Sequence, residues 1–250
     1  MLLLPLLTIL NFTYAFNLLR PISRVISKSQ HPPSTLQFIT LEEIPQVEVA
    51  QCVSDESLYI TSEATYSDLH AVVDLRVNVF YPDLVDIKSF HSKVLEKLRH
   101  RREQGSTCLI VCQTNKIDKI NLNYDYGSNI VGTVEFSPID FKHSTLETRG
   151  RENKLYLMDL AVRKDARRKG IASGLLKSAE KYALNNGYDE ILLHVDVGNQ
   201  KALKLYEKHG YIEYPPSAAS VQFTESRLHK PAACYIFLWK KIEKPPAISQ

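Results

Sequence analysis

The stretch Leu155–Tyr211, LYLMDLAVRKDARRKGIASGLLKSAEKYALNNGYDEILLHVDVGNQKALKLYEKHGY, decides the fold. Its first residues alternate, with Tyr156, Met158, Leu160 and Val162 on one side and Leu157, Asp159 and Ala161 on the other, which is the period of a strand. From Gly170 the period lengthens. Ile171, Leu175, Leu176, Ala179 and Ala183 form one helical stripe, stopped by Asn185, Asn186 and Gly187. Ile191 to Val197 reads as a second strand, and Gln200 to His209 as a second helix entered at Asn199 and closed by Gly210. A strand, a helical crossover and another strand imply two neighbouring parallel strands.

The anomaly in this stretch is electrostatic. Arg163, Lys164, Arg167, Arg168 and Lys169 crowd the start of the first helix. The macrodipole is already positive there, and exposed cations are disfavoured by roughly 0.3–1 kcal/mol each. A bound anion removes the conflict, because a helix N-terminus offers free backbone N–H groups and the side chains add countercharge. Gly170 lacks a Cβ and lets a phosphate approach the backbone. The strand before it and the glycine at the helix start favour a pyrophosphate site over a solvated basic turn.

Two nucleotide-binding turns are excluded. Arg167-Arg168-Lys169-Gly170-Ile171-Ala172 has one glycine, whereas a P-loop needs GxxxxGK followed by Ser or Thr, and a dinucleotide turn needs GxGxxG. The hexapeptide matches instead the Q/R-x-x-G-x-G/A signature of the GNAT superfamily of acyl-CoA-dependent N-acyltransferases. Asn199, Ala202, Leu205-Tyr206 and Gly210-Tyr211 fit that superfamily's NxxAxxLYxxxGF pattern. Two motifs in order, with the right elements between them, are specific. The detailed resemblance spans about a quarter of the chain, and the general pattern fits Leu58 to Ile242. It includes likeness to plastid-type members and to the ribosomal-protein alanine N-acetyltransferase branch.

The resemblance implies an α/β fold: a mixed central sheet flanked by helices, with a splayed parallel strand pair that binds acetyl-CoA. It implies transfer of acetyl to an amine by direct attack in a ternary complex. That chemistry needs the cofactor held, the amine deprotonated, the oxyanion stabilised and the leaving thiolate protonated. On this likeness the backbone of Leu160, Ala161 and Val162 pairs with the pantetheine arm. The N–H groups from Arg168 through Lys169, Gly170, Ile171, Ala172 and Ser173 take the pyrophosphate, with Arg167 and Arg168 adding charge. Asn199 contacts the cofactor or serves simply as a helix cap. Tyr206, a phenol near pKa ~10, is the candidate acid for the thiolate.

The base is open. His194 stands where the alanine N-acetyltransferase branch has a catalytic glutamate, and a neutral imidazole near pKa ~6.5 is a competent base. Asp159 and Glu135 on neighbouring strands are rivals, acting directly or through water. The acceptor expected is a protein or peptide amine, an N-terminal α-amine or a lysine. Its pocket is expected between the turn Tyr81-Pro82-Asp83 and a long loop from Pro215 to Pro231. Rival readings are a small-molecule amine acetyltransferase and a non-catalytic acyl-CoA-binding module.

Composition fits a globular domain, with 44% hydrophobic and 24% charged residues. The net charge of +3 sits wholly in residues 1–41, which hold Arg20, Arg24 and Lys28 and no acid. Residues 42–250 carry 28 basic and 28 acidic side chains, so no overall field for nucleic acid exists and none is expected as a partner. Met1 to Ala15 is apolar, too short to span a bilayer, and ends like a signal-peptide cleavage site; Phe16 to Leu41 resembles a transit segment. The two parts together resemble the plastid presequence of algae with secondary plastids, the alternative being the secretory pathway. After processing no stable membrane span is expected. The division is then a targeting segment at 1–41, a leader at 42–57 and the acetyltransferase domain at 58–250.

Cys52, Cys108, Cys112 and Cys234 are too scattered for a disulfide framework or a zinc site, and read as buried thiols with no metal expected. Helices are expected from Ser67 to Pro82 and around Phe90 to Gly105. Strands are expected at Leu58–Ala64, Thr107–Thr114, Ile130–Phe136, Tyr211–Tyr214 and Cys234–Ile242. The polar loop with Asn121, Asn123, Asp125 and Ser128 reads as a solvated hairpin, lacking the EF-hand glycine and glutamate.

Overall fold

The structure is a computed structural model that describes residues 36–40 and 48–52 as backbone and residues 58–114, 129–139 and 153–243 with their side chains. The order is β1 (Leu36–Thr40), β2 (Glu48–Cys52), β3 (Leu58–Glu63), α1 (Leu69–Phe80), α2 (Ile87–Glu103), β4 (Thr107–Thr114), β5 (Ile130–Pro138) and β6 (Lys154–Val162). It continues through α3 (Ile171–Asn185), β7 (Glu190–Asp196), α4 (Gln200–Lys208), β8 (Ile212–Glu213), α5 (Ala218–Leu228) and β9 (Tyr235–Lys241). The strands form one mixed sheet in the order β1-β2-β3-β4-β5-β6-β7-β9-β8. Every pairing is antiparallel except β6 with β7, the parallel neighbours that the crossover through α3 demands.

Helices cover both faces. On one, Leu69, Val72 and Val73 of α1 and Leu95 and Leu98 of α2 pack on Cys108, Ile110 and Cys112 of β4. On the other, the predicted stripe of α3 packs on Leu109, Val111, Leu155, Leu157, Ile191 and Leu193. Burying such side chains contributes roughly 1.5–3 kcal/mol each. Cys108 and Cys112 do share a buried face, but Cys234 is exposed, because it ends a short 3-10 turn before β9 instead of lying within the strand. Cys52 has no described side chain.

Three further differences bear on the site. Asp68, not Ser67, stands at the α1 N-cap, and its carboxylate accepts from Thr65 N–H and Thr65 Oγ1 instead of from the helix. The segment Pro215–Pro231, expected as loop, contains α5, entered through a capping box in which Ser217 and Ser220 bond each other's backbone N–H. Finally, β6 does not alternate along its length. Thr133 of β5 faces Ala161 while Glu135 faces Met158, so the pairing slips across Asp159 and Leu160, and Asp159 is left-handed at φ +53°. This is a β-bulge, and aspartate tolerates that conformation better than a branched residue would. Tyr156 and Met158 accordingly join the α5 cluster, whereas Leu160 and Val162 pack with Leu155 and Leu157 against the α3 core. The sequence alternation had placed all four on one side.

The strand Leu36–Thr40 falls within the segment read as transit-like and pairs with β2. Residues 1–35, with the expected signal segment, and the polar loop at 115–128 lie outside the described residues. Among the described residues no helix is long and apolar enough to cross a membrane.

Candidate active site

The parallel pair opens as it runs. β6 and β7 are paired at Lys154–Glu190, Leu155–Ile191 and Tyr156–Leu192, and the ladder stops there although β6 continues to Val162 and β7 to Asp196. The bulge at Asp159 bends β6 just beyond the last rung. Backbone groups of Leu160 to Val162 therefore lie on a strand edge that β7 no longer pairs.

The basic turn follows at the open end. Gly170 is the α3 N-cap at φ +82°, and no side chain caps this end. The first helical bond runs from Gly174 N–H to Gly170 O, so the N–H groups of Ile171, Ala172 and Ser173 precede the ladder and face outward. The charges around it are not equivalent. Arg163 is bidentate to Asp165 at 2.7 and 3.0 Å and holds that exposed carboxyl below its ordinary value. Arg167 is exposed and donates Nε–H to Val162 O at 3.0 Å, tying the turn to the end of β6. Arg168 is exposed and left-handed at φ +67°. On the sheet side Gly132 makes room for the helix, since a Cβ there would lie 2.8 Å from Ile171 Cγ2.

Helix α4 is entered at Asn199, just past the end of β7. Asn199 accepts from Ala202 N–H at 3.2 Å through Oδ1, a helix cap that leaves its amide donors for other use. Tyr206 is buried against Tyr211, the rings 5.7 Å apart edge to face. Burial, with Tyr156 nearby adding to it, raises its phenol well above the ordinary tyrosine value, so it stays protonated.

On the opposite side of the sheet, under α5, His194 makes two bonds. Its Nδ1 is 2.8 Å from Tyr156 Oη and its Nε2 is 2.8 Å from Thr224 Oγ1. Thr224 gives its one hydroxyl proton to Ser220 O at 2.8 Å, so it accepts from His194 Nε2–H, and Nδ1 in turn accepts from the Tyr156 hydroxyl. Phe237 stacks on the imidazole at 4.3 Å. Burial, and then Arg227, push the His194 pKa down to about 3, while burial pushes Tyr156 up to about 12. Arg227 on α5 lies 4.3 Å from the centre of the Tyr156 ring.

Asp159 and Glu135 belong to one network. Glu135 is fully buried and takes Arg101 in a two-bond grip at 2.7 Å each, and Arg76 at 2.7 Å. Asp159, 36% exposed at its side chain, receives Arg76 at 3.1 Å and Arg101 at 3.0 Å, both on Oδ2. Burial works against the Arg76 cation, but Cys108, Asp159 and Glu135 outweigh it and hold its pKa above the ordinary value.

Among the residues expected from sequence, the structure thus gathers Leu160–Val162, Arg167–Ser173, Asn199 and Tyr206 on one side of the opening, and His194 and Asp159 on the other. Tyr156, Arg76, Arg101, Thr224 and Arg227 were not anticipated. Arg76 did carry a signal, since it interrupts the apolar stripe of α1 at a position one turn beyond Val72 and Val73. The two walls expected for the acceptor pocket line different clefts. Pro82 borders one of about 660 Å3 with Asp74, Asn78, Arg163, Lys164 and Arg167; Pro215 and Pro216 border one of about 380 Å3 with Glu190, Tyr214 and Trp239.

Residues 80–211, slightly more than half of the chain, match the family described as Acetyltransferase (GNAT) family. The chain is 37% identical over 102 residues to the Arabidopsis thaliana protein named GCN5-related N-acetyltransferase 4, chloroplastic, a match covering 40% of this chain and 35% of that protein. It is 40% identical over 57 residues to N-alpha-acetyltransferase 30 of Xenopus laevis, covering 23% of this chain and 21% of that protein. Both matches span well under half the length of the relative. The fold is similar to that of an acetyltransferase of the GNAT family from Staphylococcus aureus Mu50, with TM-score 0.51 at 16% identity over 74% of this chain and 99% of that one.

Proposed function

Because the chain belongs to the GNAT family of acetyltransferases, we propose that it moves an acetyl group from acetyl-CoA to a protein amine, with the N-terminal α-amine as the favoured acceptor. The observation that carries this is the uncapped, positively charged N-terminus of α3 opening beside the point where β6 and β7 part. A diphosphate fits there without displacing any capping side chain. Acetyl-CoA is the acyl donor: Ile171, Ala172 and Ser173 would bind its diphosphate, and the β6 edge from Leu160 to Val162 that β7 leaves unpaired would bind its amide-containing arm. The name of the Xenopus relative supports an α-amine acceptor, and the family match supports acetyl transfer.

In the reaction a C–N bond forms, the thioester C–S bond breaks, the amine loses a proton and the thiolate gains one. Tyr206 is assigned the second proton transfer, because burial keeps its hydroxyl protonated beside the opening. His194 is a positioning residue on this reading. Both of its nitrogens are engaged and its basicity is suppressed. Asp159 takes the amine proton, directly or through water, with Oδ2 fixed by two arginines. Such a site lacks a strong base, which suits an α-amine of pKa ~7.7–8.0 far better than a lysine near ~10.4. The acid-free first 41 residues and the chloroplastic name of the Arabidopsis relative support a plastid address.

The test is direct. Calorimetry of the full chain should detect acetyl-CoA uptake, and mass spectrometry after incubation with mixed peptides should find acetyl on α-amines. Absence of acetyl-CoA uptake would overturn the assignment.

A further inference from the structure

Among the described residues, the α5 side of the opening carries a cation without a counterion. Guanidinium groups from α1, α2 and α5 stand on this side of the sheet. Two of them, Arg76 and Arg101, are matched by Glu135 and Asp159. Arg102 pairs with Glu63; Arg227, on α5, differs from these three. It is exposed, and among the described residues no carboxylate lies within ion-pair distance of it. The acid two residues before it, Glu225, accepts instead from the backbone N–H of Ala232.

The position of Arg227 is fixed by its helix. Phe223 and Thr224 precede it by one turn on the same side of α5. Phe223 is buried against Tyr156 and Phe237, and Thr224 is bonded to His194. Those two contacts fasten α5 to the sheet and bring the Arg227 guanidinium over the Tyr156 ring at 4.3 Å, with Nη2 3.8 Å from Met158 Sδ. Tyr156 is the last residue of β6 before the strands part. The free cation therefore stands at the base of the opening, on the face away from the α3 N-terminus.

We propose that Arg227 selects the acceptor, by pairing with a carboxylate close to the amine that is acetylated. A lysine side chain or a polyamine brings a second positive group toward this cation and is disfavoured. An amine neighbouring an acidic group is favoured, because its carboxylate supplies the missing counterion. The carboxylate has two possible sources: an acidic side chain at the second position of a peptide, or the α-carboxylate of a free amino acid. The inference rests on the acetyl-transfer reading given above.

The experiment uses the full chain, acetyl-CoA and peptides identical except for glutamate, glutamine or lysine at position two, with free and amidated amino acids as a separate arm. The expected result is a kcat/KM for the glutamate peptide higher than for glutamine by on the order of tenfold, mostly through KM, with lysine lowest. Arg227→Gln should level the series and Arg227→Glu should invert it, with acetyl-CoA affinity unchanged in both as the check on folding. Preference for free over amidated amino acids, exceeding that for any peptide, would identify the α-carboxylate as the source. Acetylation indifferent to charge, or a preference that survives Arg227→Gln, overturns this inference alone. Acetyl-CoA binding with no amine acetylated overturns the transfer reading and the inference together.

Discussion

The hydroxyl of Tyr156 donates to Nδ1 of His194 across 2.8 Å, joining β6 to β7 at the point where their backbone ladder ends. A side-chain bond takes over where main-chain bonds stop, and it links the two strands beyond their last rung. Thr224, bonded to the other ring nitrogen, fixes the tautomer that makes this possible.

The first prediction follows from the neutral ring. His194 titrates near ~6.5 when unfolded and near about 3 when folded. Between those values the unfolded chain binds the additional proton. The stability contributed by the neutral ring is thus complete above pH ~6.5 and declines as pH falls toward 3. Urea midpoints should drop between about pH 7 and pH 5, and drop less in His194→Gln. The imidazole NMR signals should keep neutral shifts down to about pH 5; a midpoint near 6.5 would refute the assignment.

Replacing Tyr206 by phenylalanine keeps the buried ring and removes the proton donor. We expect acetyl-CoA to bind with unchanged affinity and kcat to fall on the order of 100-fold or more. Equal losses in binding and turnover would indicate a packing role.

Glu135→Gln tests the buried network. The substitution leaves the Arg76 guanidinium buried with only Asp159 as a carboxylate partner, and Arg101 without its two-bond grip. Removing one member of a buried pair typically costs about 3–5 kcal/mol. Chemical denaturation should show a loss of that order, accompanied by weaker turnover, because Asp159 loses its fixed orientation.

Gly132→Ala should act at a distance in sequence but not in space. The new methyl meets Ile171 Cγ2 at 2.8 Å and Leu175 Cδ1 at 3.2 Å, and both residues are buried. Overpacking of this kind costs roughly 1–3 kcal/mol. Because Ile171 opens α3, acetyl-CoA affinity should fall along with stability; calorimetry and thermal melts read the two effects separately.

The helical turn at Gly170, the cap at Asn199 and the parallel crossover were legible because their signals are local: caps, glycines and periods act within a few residues. The network of Arg76, Arg101, Glu135 and Asp159 was not. Its members come from two helices and two strands, and only the break in the α1 stripe hinted at Arg76. The bulge escaped as well, since it is a mismatch between two strands and the sequence of β6 alone alternates without a break. Helix α5 was hidden by its flanking prolines, which read as loop although Ser217 and Ser220 carry a capping pattern.

The extra residue at Asp159 divides β6 into two stretches with separate duties. Tyr156 and Met158 answer to α5, and Leu160 and Val162 to α3. On the proposed reading, substitutions in the first half should retune which amine is accepted while the second half keeps its hold on the acyl donor. Loss of a single residue between them would turn one half over and scramble both.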